Sequence, residues 1–160
     1  MPMNASDILK YGDQTVQRGI ADLPEAWWDV PGACGVWSIK DILAHLTSYE
    51  LVLVEVLGGF TGATGPTPLL DEYKGPHFND PQVAARKVHT PQAVVAEYNA
   101  AHAEVMALVA RIPAETLRQP GTLPWYGAEY ALDDFLVYAY YGHKREHTAQ
   151  IAAMRDRLKG

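Results

Sequence analysis

The chain has 160 residues, with 13 basic and 19 acidic side chains and a formal charge of −6 at pH 7. This length is typical of one domain that buries its own core, so we predict a single domain over residues 1–160. No basic run of the kind that neutralises phosphates is present, and we expect neither nucleic acid nor a membrane as a partner. The only cysteine, Cys34, excludes an intrachain disulfide, and Met1–Lys10 lacks the apolar segment of a signal peptide. These features predict a cytoplasmic protein.

Two helices are predicted in the first part of the chain. The first spans about Ser6 to Ala21. The second begins after Ser38, whose hydroxyl lies three residues before the Asp41 carboxylate in a pattern close to a capping box. Its apolar residues continue to Leu57, and the pair Gly58-Gly59 is predicted to end it. The apolar face of the first helix consists of Ile8, Leu9, Val16 and Ile20.

A long connection follows, from Phe60 to Thr90. It is rich in glycine and proline, which predicts a mostly irregular segment with one short helix starting at Asp80-Pro81. Connections of this length are uncommon in compact domains and often border a functional site. The length also favours a crossover that leaves the second and third helices parallel.

Two more helices are predicted in the second half. The third begins at Thr90-Pro91, where a capping hydroxyl precedes proline at the first helical position, and it extends to about Arg111. The fourth extends from about Leu132 to Leu158. Together the four patterns predict an all-α fold, a four-helix bundle with a long crossover between helices two and three.

The two turns that join these helices share a weak internal similarity. Pro24 to Pro31-Gly32 has the same spacing as Pro113 to Pro120-Gly121, and a tryptophan follows each. Each half of the chain is therefore interpreted as helix, short turn, loop and helix. Large aromatic side chains in such turns are expected to cap the ends of the bundle, although Trp37 or Trp125 can instead form a wall of a ligand pocket. The tryptophans are Trp27, Trp28, Trp37 and Trp125.

Three histidines form a candidate site. His143 and His147 are four residues apart, so they share one helix face. Both lie within the apolar stripe of helix four, whereas the intervening residues 144–146 are predicted to reach water. His45 lies on the apolar stripe of helix two. Because side chains of facing helices can meet in a bundle core, the pattern predicts that the three imidazoles come together.

Two interpretations of this trio remain open. The histidines can be satisfied core side chains, or they can bind one divalent metal ion. Burying imidazoles without strong partners is costly, which favours the metal. Three neutral imidazoles would leave one coordination position open, as in catalytic zinc sites, whereas structural zinc usually has four protein ligands. The remaining histidines, His77, His89 and His102, are not predicted ligands.

Two segments together resemble the DinB/YfiT-like superfamily: Trp37 to Leu46 (WSIKDILAHL) and His143 to Ile151 (HKREHTAQI). The resemblance implies an up-down-down-up four-helix bundle, often a homodimer. It also implies a three-histidine site for nickel or zinc, which falls on His45, His143 and His147. Characterised relatives include S-transferases and isomerases that use low-molecular-weight thiols such as bacillithiol or mycothiol.

The segment Pro31 to Asp41 is also similar to the ClbS/DfsB branch of the same superfamily. One member of that branch protects its host from a genotoxin by opening a reactive ring. Members of the branch commonly lack the paired histidines of the last helix. Because this chain keeps both, the metal interpretation stands and the branch assignment is left open.

These observations favour a metal-dependent enzyme that acts on small electrophiles in stress or detoxification. It would transfer them to a thiol cosubstrate, or hydrolyse them if water occupies the open position. The expected cofactor is one divalent ion, zinc or nickel; no catalytic side chain is assigned. Tyr49 and Gln150, each about one turn from a candidate ligand, can contact the substrate or simply pack. The alternative is a ClbS-like protein that binds a small molecule and in which metal is not catalytic.

Overall fold

The computed structural model describes residues 4–160, and over these residues the protein is all-helical, without a β-strand. The predicted all-α class is confirmed. Long helices alternate with short ones, and the last long helix is continuous from residue 132 to residue 159 through a π-helical stretch. The helices are α1 (Ala5–Ile20), α2 (Ile39–Phe60), α3 (Pro68–Tyr73), α4 (Asn79–Ala85), α5 (Pro91–Val109), α6 (Ala114–Arg118), α7 (Leu132–Phe135), the π segment (Leu136–Gly142) and α8 (His143–Lys159), with a 3₁₀ turn at Glu25–Trp27.

The predicted helix starts are confirmed by their capping groups. Ser38 Oγ accepts a hydrogen bond from the backbone N–H of Asp41 at 3.1 Å, and the Asp41 carboxylate accepts one from the N–H of Ser38 at 3.0 Å. This reciprocal pair is a capping box. At the start of α5, Thr90 Oγ1 accepts from the N–H of Ala93 at 3.1 Å. The capping box begins α2 two turns before His45 and so sets the position of that histidine.

The middle of the chain differs from the prediction in two details. Helix α2 ends at Phe60, one residue after the predicted Gly58-Gly59 end, and the Thr61 hydroxyl lies 3.1 Å from the carbonyls of Leu57 and Gly58. More than half of the long connection is irregular, as predicted, but it contains α3 as well as the expected short helix α4. The Glu55 carboxylate of α2 caps α3 by accepting from the N–H groups of Leu69 and Leu70. This cap is tertiary, so the local sequence pattern did not reveal it.

The core has two apolar clusters with a polar layer between them. The first lies around Leu53 and Phe135, and the second around Leu43 and Ile151. Helix α2 packs chiefly on α5, and α1 packs on α8 and the π segment. Between the clusters, buried polar side chains face each other across the packed helices. They are His45, Glu50, His102, Lys144 and His147. The candidate site is part of this layer.

Helix α2 also has the length and apolar composition of a membrane-spanning helix. Its most apolar 18-residue window has a mean hydropathy of 1.3, but 72 % of that window is buried inside the protein. A single helix of this kind is weak evidence for a span, because core helices of soluble proteins have the same properties. The observed burial is consistent with a soluble protein.

Helices α1 and α8 approach closely at Gly19. A Cβ atom at this position would lie 2.8 Å from Cγ2 of Thr148, whereas one at Gly12 would lie 3.5 Å from its nearest neighbour, in Lys144. The Thr148 hydroxyl donates to the carbonyl of Lys144 at 2.7 Å, which restrains its rotamer. The close approach therefore requires glycine at position 19 but not at position 12.

Gly19→Ala should lower the free energy of unfolding by about 1–2 kcal/mol, because the new methyl group overpacks the α1–α8 contact. Gly12→Ala is the matched control and should be neutral or stabilising, since alanine favours the helix by about 1 kcal/mol. Urea unfolding of both variants measures the difference. In Gly19→Ala/Thr148→Ala the clash is removed and stability should recover; an unchanged loss would mean that the methyl contact is not its origin.

Candidate metal centre

Three histidines from two helices converge in the core. His45 lies in the second turn of α2, and His143 and His147 lie in the first two turns of α8. Nε2 of His143 lies 3.0 Å from Nε2 of His45 and 3.0 Å from Nε2 of His147. The three ligand nitrogens all fall within 4.8 Å of one another, and no other histidine, cysteine or carboxylate of residues 4–160 joins them. The structure therefore brings the predicted trio together in a position to bind a metal ion.

Burial keeps the three imidazoles neutral. It lowers the pKa of His45 to about 3 and the pKa of His143 to about 3, and the neighbouring histidines act in the same direction. The Lys144 ammonium lowers the pKa of His143 further. Burial also lowers the pKa of His147. At neutral pH each ring therefore presents one unprotonated nitrogen, the form that ligates metals.

The donor set fits a cation better than it fits a hydrogen-bonded cluster. His147 Nδ1 lies 2.7 Å from Oε1 of Gln150, so Nδ1 carries the proton and Nε2 presents a lone pair. A proton on Nε2 of His143 can be donated to only one of its two neighbours. One cation at the meeting point can satisfy all three lone pairs. Nitrogen ligands of a tetrahedral ion lie about 3.3 Å apart, so the two pairs at 3.0 Å need to open slightly, and the third pair, His45 with His147, lies within 4.8 Å.

Outer hydrogen bonds support only one of the three rings. Gln150 orients His147, as the second-shell partners of metal-binding histidines do. The Nδ1 atoms of His45 and His143 are buried without a hydrogen-bond partner among the described residues. Gln150 was predicted as a possible substrate contact, but its amide is directed to His147 and it does not line the neighbouring cleft.

Two aromatic rings cover the cluster on one side. Tyr49 stacks on His143 with ring centroids 4.5 Å apart and meets His45 edge-on at 4.7 Å. Trp37 lies 5.0 Å from His45. Both rings exclude water from the imidazoles, and burial raises the pKa of Tyr49. The Tyr49 backbone carbonyl accepts a 2.8 Å hydrogen bond from the Tyr140 hydroxyl, which links α2 to the π segment.

A cleft of about 620 Å³ opens beside these two rings, and we call it the aromatic cleft. Trp37 and Tyr49 form its inner wall, and behind this wall the two rings contact His45 and His143. Its outer wall comes from residues 73–81 of the long connection, which supports the prediction that this segment borders a functional site. Its volume is that of a typical small-molecule pocket. Its lining includes Trp37, Tyr49, Tyr73, His77, Phe78 and Asp80.

A buried ion pair lies next to the histidines and corrects one prediction. Lys144 does not reach water but is 1 % exposed, and it pairs with Glu50, which is fully buried. His102 Nδ1 lies 3.4 Å from the second oxygen of Glu50. The prediction that Lys144 reaches water failed because Glu50, in the apolar stretch of α2, requires a buried cation. The sequence did contain a signal for its burial, since Lys144 lies one helical turn after Tyr140 on the same helix face.

The π segment ends at Gly142, directly before the candidate ligand His143. Such segments are rare and often lie at functional sites. The sequence predicted an uninterrupted α-helix from 132 to 158 and gave no sign of this change in hydrogen bonding. Leu136 and Tyr140 of the segment are buried in the core, so its inward face continues directly into the histidine layer.

The other chemically notable residues lie apart from the cluster. His77 and His89 are exposed, and Cys34 is half-buried in the turn before α2. Of the tryptophans, Trp28 is buried in the core, as expected. Trp37 forms a cleft wall, the alternative interpretation, whereas Trp125 packs on Phe135 at 5.3 Å.

Comparison with known families gives one finding. The family model described as the DinB superfamily matches residues 11–151 of the chain. The matched range includes all three histidines and both walls of the aromatic cleft. No curated protein and no solved structure shows a significant match to the chain.

Proposed function

The chain belongs to the DinB superfamily, and we propose that it is a divalent-metal-dependent enzyme acting on small electrophiles, either a thiol-dependent S-transferase or a hydrolase. The observation that carries the proposal is the convergence of three neutral imidazole nitrogens with no fourth protein ligand among the described residues. Such a set leaves a coordination position for a reactant, as catalytic sites do and closed structural sites do not.

A divalent ion held by His45, His143 and His147 would supply positive charge that lowers the pKa of a thiol or water at the open position. The protein's own contribution is to keep the three ligands unprotonated by burial and to hold His147 through Gln150. In transfer, the thiol would lose its proton to solvent, its sulfur would form a bond to the electrophilic carbon of the substrate, and the substrate's leaving group would depart from that carbon with the bonding electrons. Cys34 is outside the cluster and is not the proposed nucleophile.

Further parts of the proposal concern the state of the protein. We propose that the ion is zinc or nickel, because imidazole suits both. We also propose that the long helices form an up-down-down-up four-helix bundle, that the chain assembles as a homodimer, and that it works in the cytoplasm on a small-molecule substrate. The principal packing pairs, α2 with α5 and α1 with α8, are compatible with that helix order.

The site makes a direct prediction about metal content. Untagged protein should contain close to one divalent ion per chain by mass spectrometry of metals. His143→Ala should weaken zinc binding by more than about 100-fold, since removal of an outer-shell partner alone typically costs 10–100-fold. His89→Ala is the matched control at an exposed histidine and should bind zinc normally. If His143→Ala retains zinc as tightly as the parent, the histidine cluster is not the metal site.

Turnover separates the two candidate functions. Metal-loaded protein should accelerate conjugation of a low-molecular-weight thiol to an electrophile, or hydrolysis of that electrophile; chelation should abolish the acceleration, and Cys34→Ser should preserve it. The second candidate, a small-molecule binder without catalysis, is favoured by the volume of the aromatic cleft. It would be supported if ligands bind equally well with and without metal and no turnover occurs.

A further inference from the structure

The aromatic cleft has an unusual balance of charge. Asp80 is the only carboxylate in its lining, and neither lysine nor arginine contributes to it. The carboxylate is exposed and forms no ion pair with any residue from 4 to 160. An anionic ligand in this cleft would therefore find no fixed countercharge, while a cationic ligand would find one.

The aromatic rings of the cleft favour the same kind of ligand. Tyr49 meets Tyr73 at right angles with centroids 5.3 Å apart, and Tyr73 meets Phe78 at 86° and 5.6 Å. These edge-to-face contacts make a packed wall. Burial raises the pKa of Tyr73 to about 12, so its phenol stays neutral. Aromatic ring faces attract cations and repel anions through the ring quadrupole.

The position of the cleft links this preference to the histidine cluster. Trp37 and Tyr49 line the cleft and also contact the ring of His45. A group bound against the outer wall would thus place the remainder of its molecule against the Trp37 and Tyr49 rings, which lie between the cleft and the imidazoles. The charge selection of the cleft would then act on a molecule that approaches the site past these rings.

We infer that the aromatic cleft binds the body of the electrophilic substrate, and that it selects neutral or cationic organic molecules with a ring or other apolar group over anionic ones. The inference rests on the proposed function for the identity of the reacting centre, whereas the charge preference rests on the cleft alone. Asp80 is the specificity-determining residue, and the partly exposed rings of Trp37, Tyr49 and Tyr73 supply the contact surface.

Three probes that share a phenethyl group test this preference: phenethyltrimethylammonium, phenethyl alcohol and 3-phenylpropionate, which are cationic, neutral and anionic. The quaternary nitrogen cannot ligate a metal, and any binding of the carboxylate to zinc works against the inference. Calorimetric titration of the zinc-loaded chain at pH 8 should show the cation binding at least tenfold more tightly than the anion. The same order should be found after zinc is removed by chelation.

Variants assign the preference to one side chain. Asp80→Asn should reduce the cation-to-anion ratio at least threefold, and Asp80→Lys should reverse it. Asp156→Asn removes the same charge from an exposed position of α8 outside the cleft and should leave the ratio unchanged. The inference is overturned if the anion binds as tightly as the cation, or if Asp80→Lys leaves the order unchanged. Absence of zinc from the protein with the charge order intact would refute the proposed function and leave the charge selectivity of the cleft standing.

Discussion

Lys144→Met should lower the free energy of unfolding by about 3–5 kcal/mol, because it leaves the Glu50 carboxylate buried without its cation. Both partners are almost fully inaccessible. The pKa of Glu50 is lowered, since the attraction of Lys144 and the hydrogen bond to His102 outweigh the effect of burial. Glu50 is therefore charged in the folded protein, and this charged state depends on Lys144. Urea unfolding at pH 7 with chelator present measures this loss without a contribution from metal.

Two comparisons isolate the buried pair. Lys74→Met makes the same substitution in an exposed ion pair with Asp71, whose N–O distance is 3.9 Å, and should cost less than about 1 kcal/mol. Glu50→Gln/Lys144→Met removes both charges and should recover more than half of the loss, because no uncompensated charge remains. Equal losses in Lys144→Met and Lys74→Met would show that burial of the pair has no energetic consequence.

The metal-free protein should lose stability steeply as pH falls below about 6.5. The unfolded histidines titrate near that pH, whereas the folded His45 and His143 titrate near 3. Between these values the unfolded state binds more protons, so acid favours unfolding. Each histidine contributes a slope of about 1.4 kcal/mol per pH unit. The stabilisation that the neutral histidines contribute above pH 6.5 is therefore lost as the pH falls to about 3.

The interval from pH 6.5 to about 5 separates histidines from carboxylates. Glu50 and Asp41 also have lowered folded pKa values, but their contribution is lost only at lower pH. His45→Gln should reduce the dependence of the unfolding free energy on pH by the contribution of one histidine, about 1.4 kcal/mol per pH unit. The exposed His89→Gln should leave this dependence unchanged. Urea unfolding at several pH values in chelator provides the slopes. A parent whose stability is flat across this interval would contradict neutral burial of the cluster.

Much of the candidate site could be predicted because it depends on helical periodicity. His143 and His147 are one turn apart, and His45 lies on the buried stripe of a helix whose start is encoded by a local capping box. Since packed helices have few ways to bury such stripes, their polar members come together in the core. The same reasoning failed for Lys144, because its burial depends on Glu50, a residue 94 positions away.

The sequence by itself determined the helical class, the starts of α2 and α5 and the three converging histidines, because caps and apolar periodicity act over a few residues. Tertiary structure alone decided the rest. Helix α3 forms where Glu55 reaches its N–H groups, the glycine pair of α2 is tolerated where Thr61 satisfies its last carbonyls, and Trp37 reaches His45. The aromatic cleft exists only because the long connection folds back over α2. These features join residues distant in the chain, and the free energy of such contacts is absent from any local pattern.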